Sequence, residues 1–261
     1  MKLRALLPTL LVVMLIAGNS MAIPLNSSSN ITINDTFGTP PTPSGEDNEV
    51  EPGCIANQFW DLEGFFLEGN TLTMVGGYDF KNGYAGKLSG DIFIDSNNDA
   101  VWGQDIGGSG TITNDMFHFD YAIDLDFTNK KYNVYTLTND TLVRVTESIN
   151  QESNPLELVL PPIPLPSFTG DLKFYENLTD AEVAGLSSTW NDGGLGTHYA
   201  VELLGIDGFL SGDFLAKFTY DCGNDNLIGK ASIPDATTLS LLGSAMVIAA
   251  LFGRRKRFGQ E

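Results

Sequence analysis

Two cysteines and two histidines are all that this chain of 261 residues has of either type. Cys54 and Cys222 form no Cys-x-x-Cys pair and fit no zinc-ligand spacing, which excludes thioredoxin-like redox exchange and the common structural zinc sites. With only His118 and His198 as imidazoles, a His-rich metal centre is excluded too. There is no Gly-x-Ser-x-Gly elbow and no Gly-rich phosphate loop. Basic residues are scarce away from the ends. Six of the 14 Lys and Arg lie before residue 23 or after residue 232, whereas of the 33 Asp and Glu only Asp235 and Glu261 do. The segment between keeps eight basic against 31 acidic residues, a charge near −23. Such a surface repels nucleic acid and anionic membranes. It fits a secreted, soluble protein and makes divalent cations candidate counter-ions.

What is present begins with an uncharged apolar segment at each end. Lys2 and Arg4 precede the apolar stretch Ala5 to Gly18, which Pro8 interrupts, and Ser20-Met21-Ala22 is a small-x-small cleavage site. Residues 1–22 therefore read as a signal peptide. At the other end, Ala236 to Gly253 is 18 residues without a charge. As a helix it would run about 27 Å, against a hydrocarbon core of about 30 Å. Arg254, Arg255, Lys256 and Arg257 follow as a stop-transfer cluster that keeps this end cytoplasmic. Ile233, Pro234 and Asp235 stand just ahead of the apolar run.

This order of short Pro-acid motif, apolar helix and Arg-rich end resembles the PEP-CTERM sorting signals of exported bacterial proteins. Asp235 stands where the family has Glu, and Ala236 where it has a second Pro, so the tail looks closest to the Val-Pro-Asp variant. The resemblance implies processing by an exosortase-type enzyme. It also implies passage through a single-pass inner-membrane intermediate to the cell surface or medium, often beside extracellular polysaccharide. A plain single-pass anchor is the alternative. Gly76 to Gly83, Ser89 to Asp95 and Cys222 to Gly229 also resemble segments shared by a group of proteins bearing such tails, which implies export and a β fold but no mechanism.

Residues 23–52 are rich in Ser, Asn, Thr and Pro and read as a flexible linker, with Ile31-Thr32-Ile33 as a candidate edge strand. The body, residues 53–232, has a dominant period of two. In Phe119 to Phe127 the apolar Phe119, Tyr121, Ile123, Leu125 and Phe127 alternate with Asp120, Ala122, Asp124 and Asp126, which predicts a strand with one dry and one wet face. Gly90 to Asp95, Lys131 to Thr138, Asp140 to Thr146, His198 to Leu204 and Phe214 to Tyr220 read as further strands. Thr179 to Ser187 reads as the one helix, with Thr179 and Glu182 as a capping box, and Asn154 to Ser167 as an extended Pro-rich crossover. The expected fold is all-β, an antiparallel two-layer β-sandwich between signal peptide and transmembrane helix. In an oxidising compartment Cys54 and Cys222 are expected to pair, closing a loop of about 170 residues.

Candidate chemistry is sparse. Asp95, Asn97 and Asp99 place oxygen ligands at alternate positions, like the first half of a calcium loop, but Ala100 and Val101 stand where Gly and further ligands would be needed. An Asx-rich turn is the competing reading. Asp91, Asp120, Asp124 and Asp126 would line one face if their strands pair. Trp60, Trp102 and Trp190 are core or sugar-stacking candidates. No catalytic residue or organic cofactor is evident. The leading expectation is a non-enzymatic, surface-sorted structural or matrix protein. The alternatives are a carbohydrate-binding module with exposed aromatics, or a secreted glycoside hydrolase with an acid pair.

Overall fold

The structure, a computed structural model, describes residues 29–33, 55–101, 108–146, 153–159, 165–183, 186, 197–223 and 225–233. The signal peptide, most of the linker, Cys54, Trp102, Trp190, Pro234, Asp235, the apolar run and the four basic residues fall outside them. Among the described residues the chain is all-β. Its strands are β1 (Ser29–Asn30), β2 (Leu62–Glu68), β3 (Thr71–Gly76), β4 (Ile92–Asp95), β5 (Gly110–Thr113), β6 (Tyr121–Asp126), β7 (Lys131–Thr136), β8 (Leu142–Val145), β9 (Glu157–Leu158), β10 (Phe168–Leu178), β11 (His198–Leu204), β12 (Gly212–Thr219) and β13 (Asn226–Ile233). One helical turn, α1 (Asp180–Val183), follows β10. It starts as its sequence requires: the Glu182 carboxylate accepts from both the Thr179 amide and its hydroxyl, at 2.8 and 2.9 Å.

Ten strands make one antiparallel sheet in the order β1-β2-β3-β11-β10-β7-β6-β4-β12-β13. Its two ends meet. Ser29 and Asn30 pair with Leu67 and Phe66 of β2, and the Ile31 amide donates to the Phe65 carbonyl at 2.9 Å. The same segment then pairs with β13: Lys230 N–H donates to the Ile31 carbonyl, and Ile33 N–H to the Ile228 carbonyl, both at 2.8 Å. Gly229 lets β2 and β13 approach here, since a Cβ on it would lie 2.9 Å from Phe65 Cβ. The candidate edge strand is thus a closing strand, and both open edges disappear. The layers expected of a sandwich are opposite walls of one closed sheet. Leu72, Ile94, Ile123, Val201, Phe218 and Leu227 meet in a single cluster between them.

Two smaller clusters lie outside the walls. A second sheet, β5-β8-β9, covers the outer face of β4, β6 and β12 and buries Phe93, Phe119, Ala122, Val143 and Leu158. The turn after β10 covers β2, β3 and β11 over Phe66, Val75, Leu178, Val183 and Ala200. This double burial corrects two expectations. The segment of the Pro-rich crossover includes strand β9. The face carrying Ala122 and Asp124 is partly covered, with Ala122 buried and the aspartates half-buried, and Phe119 sits on it rather than with Tyr121 and Ile123. The cause is local. His118 takes φ 61°, and the Asn114 side chain clamps Phe119 by accepting from its amide at 3.2 Å and donating to its carbonyl at 2.8 Å. The alternation is broken before β6 begins. Strands β2 and β3, buried on both faces along most of their length, escape a period-two reading because of that double burial. In β2 a bulge follows Leu62, and consecutive Phe65 and Phe66 fill clusters on opposite faces.

Candidate functional site

The candidate metal residues sit where β4 ends. Asp95 is buried, and its carboxylate closes its own loop: Oδ1 accepts from the Asn97 and Asn98 amides at 3.0 and 2.8 Å, and Oδ2 from the Ala100 amide at 3.1 Å. Asn97 Oδ1 accepts from the Asp99 amide at 3.0 Å, while its Nδ2 donates to Asp120 Oδ1 at 3.2 Å. Asp120 also holds Ser96 through its amide and hydroxyl, both at 2.7 Å. Lys230 Nζ donates to Asn98 Oδ1 at 2.8 Å beside a cavity of about 210 Å³ that Asp95 and Asp213 also line. Among the described residues no three His, Cys, Asp or Glu side chains converge as a metal set. The geometry is that of successive Asx turns, with an ammonium group already at the rim. Asp95→Ala is therefore expected to cost about 1–3 kcal/mol, because three part-buried N–H groups lose a charged acceptor. The loss should be the same in millimolar calcium and in sodium at equal ionic strength. A melting-temperature rise specific to calcium, abolished by Asp95→Asn with Asp99→Asn, would restore the metal reading.

Strands β4 and β6 do pair, Ile92 opposite Ile123 and Ile94 opposite Tyr121. That register sets Asp91 across from Asp124 at one end and Asp95 across from Asp120 at the other. Burial pushes the Asp91 carboxyl well up. The Leu158 amide, donating to Oδ2 at 2.7 Å, opposes this, and the Asp124 carboxylate adds to it. Burial also raises Asp124, against the pull of the Asn133 side chain. Such a pair is what acid–base hydrolysis of a glycoside uses. Here β9 lies over it: Asp91 N–H donates to the Leu156 carbonyl at 2.9 Å, as Leu158 N–H donates back to the Asp91 side chain. The two carboxyls are roofed by protein on that side.

His118 is half-buried on the Asn114 turn, and His198 is fully buried on β11. His198 Nδ1 lies 2.7 Å from Glu63 Oε2, and Nε2 lies 3.1 Å from Asp180 Oδ1. Gln58 Nε2 donates to the other Glu63 oxygen at 2.9 Å. Burial works against the imidazolium, but Glu63 and then Asp180 outweigh it and raise the His198 pKa. This array ties β2 and β11 to the first residue of α1. The sequence reading names His198 but not its partners, because Glu63 and Asp180 lie 135 and 18 residues away from it.

No family model, curated protein or solved structure matches the chain. Its surface must therefore be read from its own chemistry.

The most unusual part of that surface is one end of the closed sheet. A ladder of rings runs outward from the core. Phe80 meets Tyr78 edge-on, Tyr78 stacks on Tyr220 at 4.5 Å, Tyr220 meets Trp60 at 5.6 Å, Trp60 meets Tyr84 edge-on at 4.8 Å, and Tyr84 stacks on Phe59 at 5.0 Å. Phe59 and Tyr84 end it in solvent, 52% and 39% exposed, with Leu88 at 58% beside them. Of the three tryptophans singled out in the sequence, only Trp60 is described. It is half-buried and backs this pair. Tyr84 and Lys87 exchange two backbone hydrogen bonds, at 3.1 and 2.9 Å. Lys87 in turn lines a cavity of about 560 Å³ together with Thr111, Arg144, Thr146, Asp221 and Cys222. Arg144 there is 2.8 Å from Glu157 and 3.3 Å from Asp221. Cys222 is half-buried on this cavity, and its expected partner Cys54 lies outside the described residues. Of the sorting motif only Ile233 is described, buried at the end of β13. No helix among the described residues is long and apolar enough to cross a membrane, and the candidate span lies outside them.

Proposed function

We propose that the chain is an exported, surface-sorted protein whose β body serves a structural or extracellular-matrix role without catalysis. The observation that carries this reading is the order of its segments: signal peptide, strongly acidic body, Pro-acid motif, 18 uncharged residues and four basic ones. An exosortase-type enzyme is the partner that such a tail would meet. The closed ten-stranded sheet suits a body that must persist outside the cell, since among the described residues it has no open edge of its own for uncontrolled pairing. A second reading, a carbohydrate-binding module, is favoured by one observation: Phe59 and Tyr84 form an exposed, stacked ring pair on a rigid base.

Deleting Leu239 to Phe252 tests the first reading. Once the signal peptide is removed, no other apolar anchor of that length remains in the sequence. A tagged variant is expected to be released or mis-sorted, while the full-length chain fractionates with the envelope or the surface. A full-length chain that stays in the cytoplasm sinks the export reading.

A further inference from the structure

The ring pair and the neighbouring cavity share a rim, and their chemistries complement each other. The backbone bonds between Tyr84 and Lys87 fix the platform to one side of the cavity. From the other side Tyr220, which touches Trp60, leads directly into Asp221 and Cys222 on the wall. The Asp221 amide donates to the Leu88 carbonyl at 2.9 Å, and the Thr146 hydroxyl to the Asp221 carbonyl at 2.5 Å. Platform, rim and wall are thus one bonded unit. The cavity's volume falls within the range of small-molecule sites.

We propose that this end of the molecule binds an uncharged glycan chain. The proposal rests on the carbohydrate-binding reading and adds the location and the ligand class. Sugar rings present C–H faces that stack on aromatic rings, and Trp60 holds Tyr84 edge-on, so the platform needs little ordering on binding. Sugars also present adjacent hydroxyls, each a donor and an acceptor. Arg144 and Asp221 set N–H donors beside carboxylate acceptors, and the hydroxyls of Thr111 and Thr146 extend the array. Charge selects the class. The Arg144 guanidinium is already balanced by Glu157 and Asp221, and among the described residues Lys87 is the one other cation on the cavity wall. With the exported segment near −23, a uronate or sulfate polymer would be repelled at long range and would find no unbalanced guanidinium on arrival.

The test is an array of uncharged oligosaccharides (gluco-, manno-, galacto- and xylo- series) beside uronate and sulfated ones. It is probed with the full-length chain in detergent. Binding to at least one uncharged series is expected. Tyr84→Ala and Phe59→Ser should each weaken it about tenfold, with little change in melting temperature because both rings end in solvent. Asp221→Asn should weaken it while leaving the platform intact. Retention on charged glycans alone, no retention on any uncharged series, or binding indifferent to both ring variants would each overturn the proposal. Fractionation is independent of this result, so a wrong site and a wrong location are separable.

Discussion

Glu63→Leu is expected to lower stability by about 3–5 kcal/mol near pH 6, and by much less at pH 9. Glu63 is buried on β2 and holds His198 Nδ1 at 2.7 Å, inside a wall where water cannot replace it. Removing it takes away the partner of Nδ1, and Asp180, on Nε2 at 3.1 Å, stands at the surface end of the array. The pH dependence follows from the direction of the shift. His198 has its pKa raised in the folded state, above an unfolded value of about 6.5. Its stabilisation is complete below about pH 6.5 and is lost as pH rises through the folded value. Asp91 acts in the same sense. Its carboxyl is raised by burial above an unfolded value of about 3.9, so its contribution also declines as pH climbs through the folded value. The wild-type melting temperature should therefore fall from mildly acidic to alkaline pH, and Glu63→Leu should flatten the part of the slope above about pH 6.5. Calorimetry across that range decides. An equal loss at pH 6 and pH 9 would mean that a neutral hydrogen bond, not an ion pair, joins Glu63 to His198.

Removing residues 29–33 is expected to cost on the order of 5 kcal/mol, comparable to the whole stability of many domains. Besides the pairing of Ser29 and Asn30 with β2, five hydrogen bonds go with them: Ile31 N–H to Phe65, Lys230 N–H to Ile31, Ile33 N–H to Ile228, Phe65 N–H to Thr32 Oγ1 at 3.0 Å, and the Thr32 hydroxyl to the Phe65 carbonyl at 3.3 Å. Each is worth about 1 kcal/mol. Ile31 also packs against the main cluster, which adds about 1–2 kcal/mol. The loss has a second consequence. β2 and β13 become edges with unpaired N–H and C=O groups, and edges of that kind pair with other chains. The shortened protein should unfold at lower denaturant and self-associate by size exclusion. Ile31→Pro removes one of these bonds without shortening the chain and should show a smaller loss in the same direction. A shortened protein that stays monomeric, with its denaturation midpoint unchanged, would mean that β2 and β13 close the sheet without help.

The β class, the strand His198–Leu204 and the capping of α1 by Thr179 and Glu182 were determined by local sequence. They depend on side-chain alternation and on contacts three residues apart. So was the order of apolar N-terminal segment, acidic body and apolar tail, because it rests on composition alone. Closure of the sheet was not. The segment 29–33 has linker composition, and its role depends on strands that begin about thirty residues later and end the described body. Strands with protein on both faces, such as β2, lose the alternation that would announce them. Asp95 illustrates the limit for site residues. Its spacing from Asn97 and Asp99 allows either a cation or a turn, and the three amides that fold back onto its carboxylate, which the spacing alone does not show, supply the hydrogen bonds of the turn. The Glu63–His198–Asp180 array and the Phe59–Tyr84 platform were decided by tertiary structure as well. Their members come from distant strands and turns, and the closed sheet alone brings them within hydrogen-bonding or stacking distance.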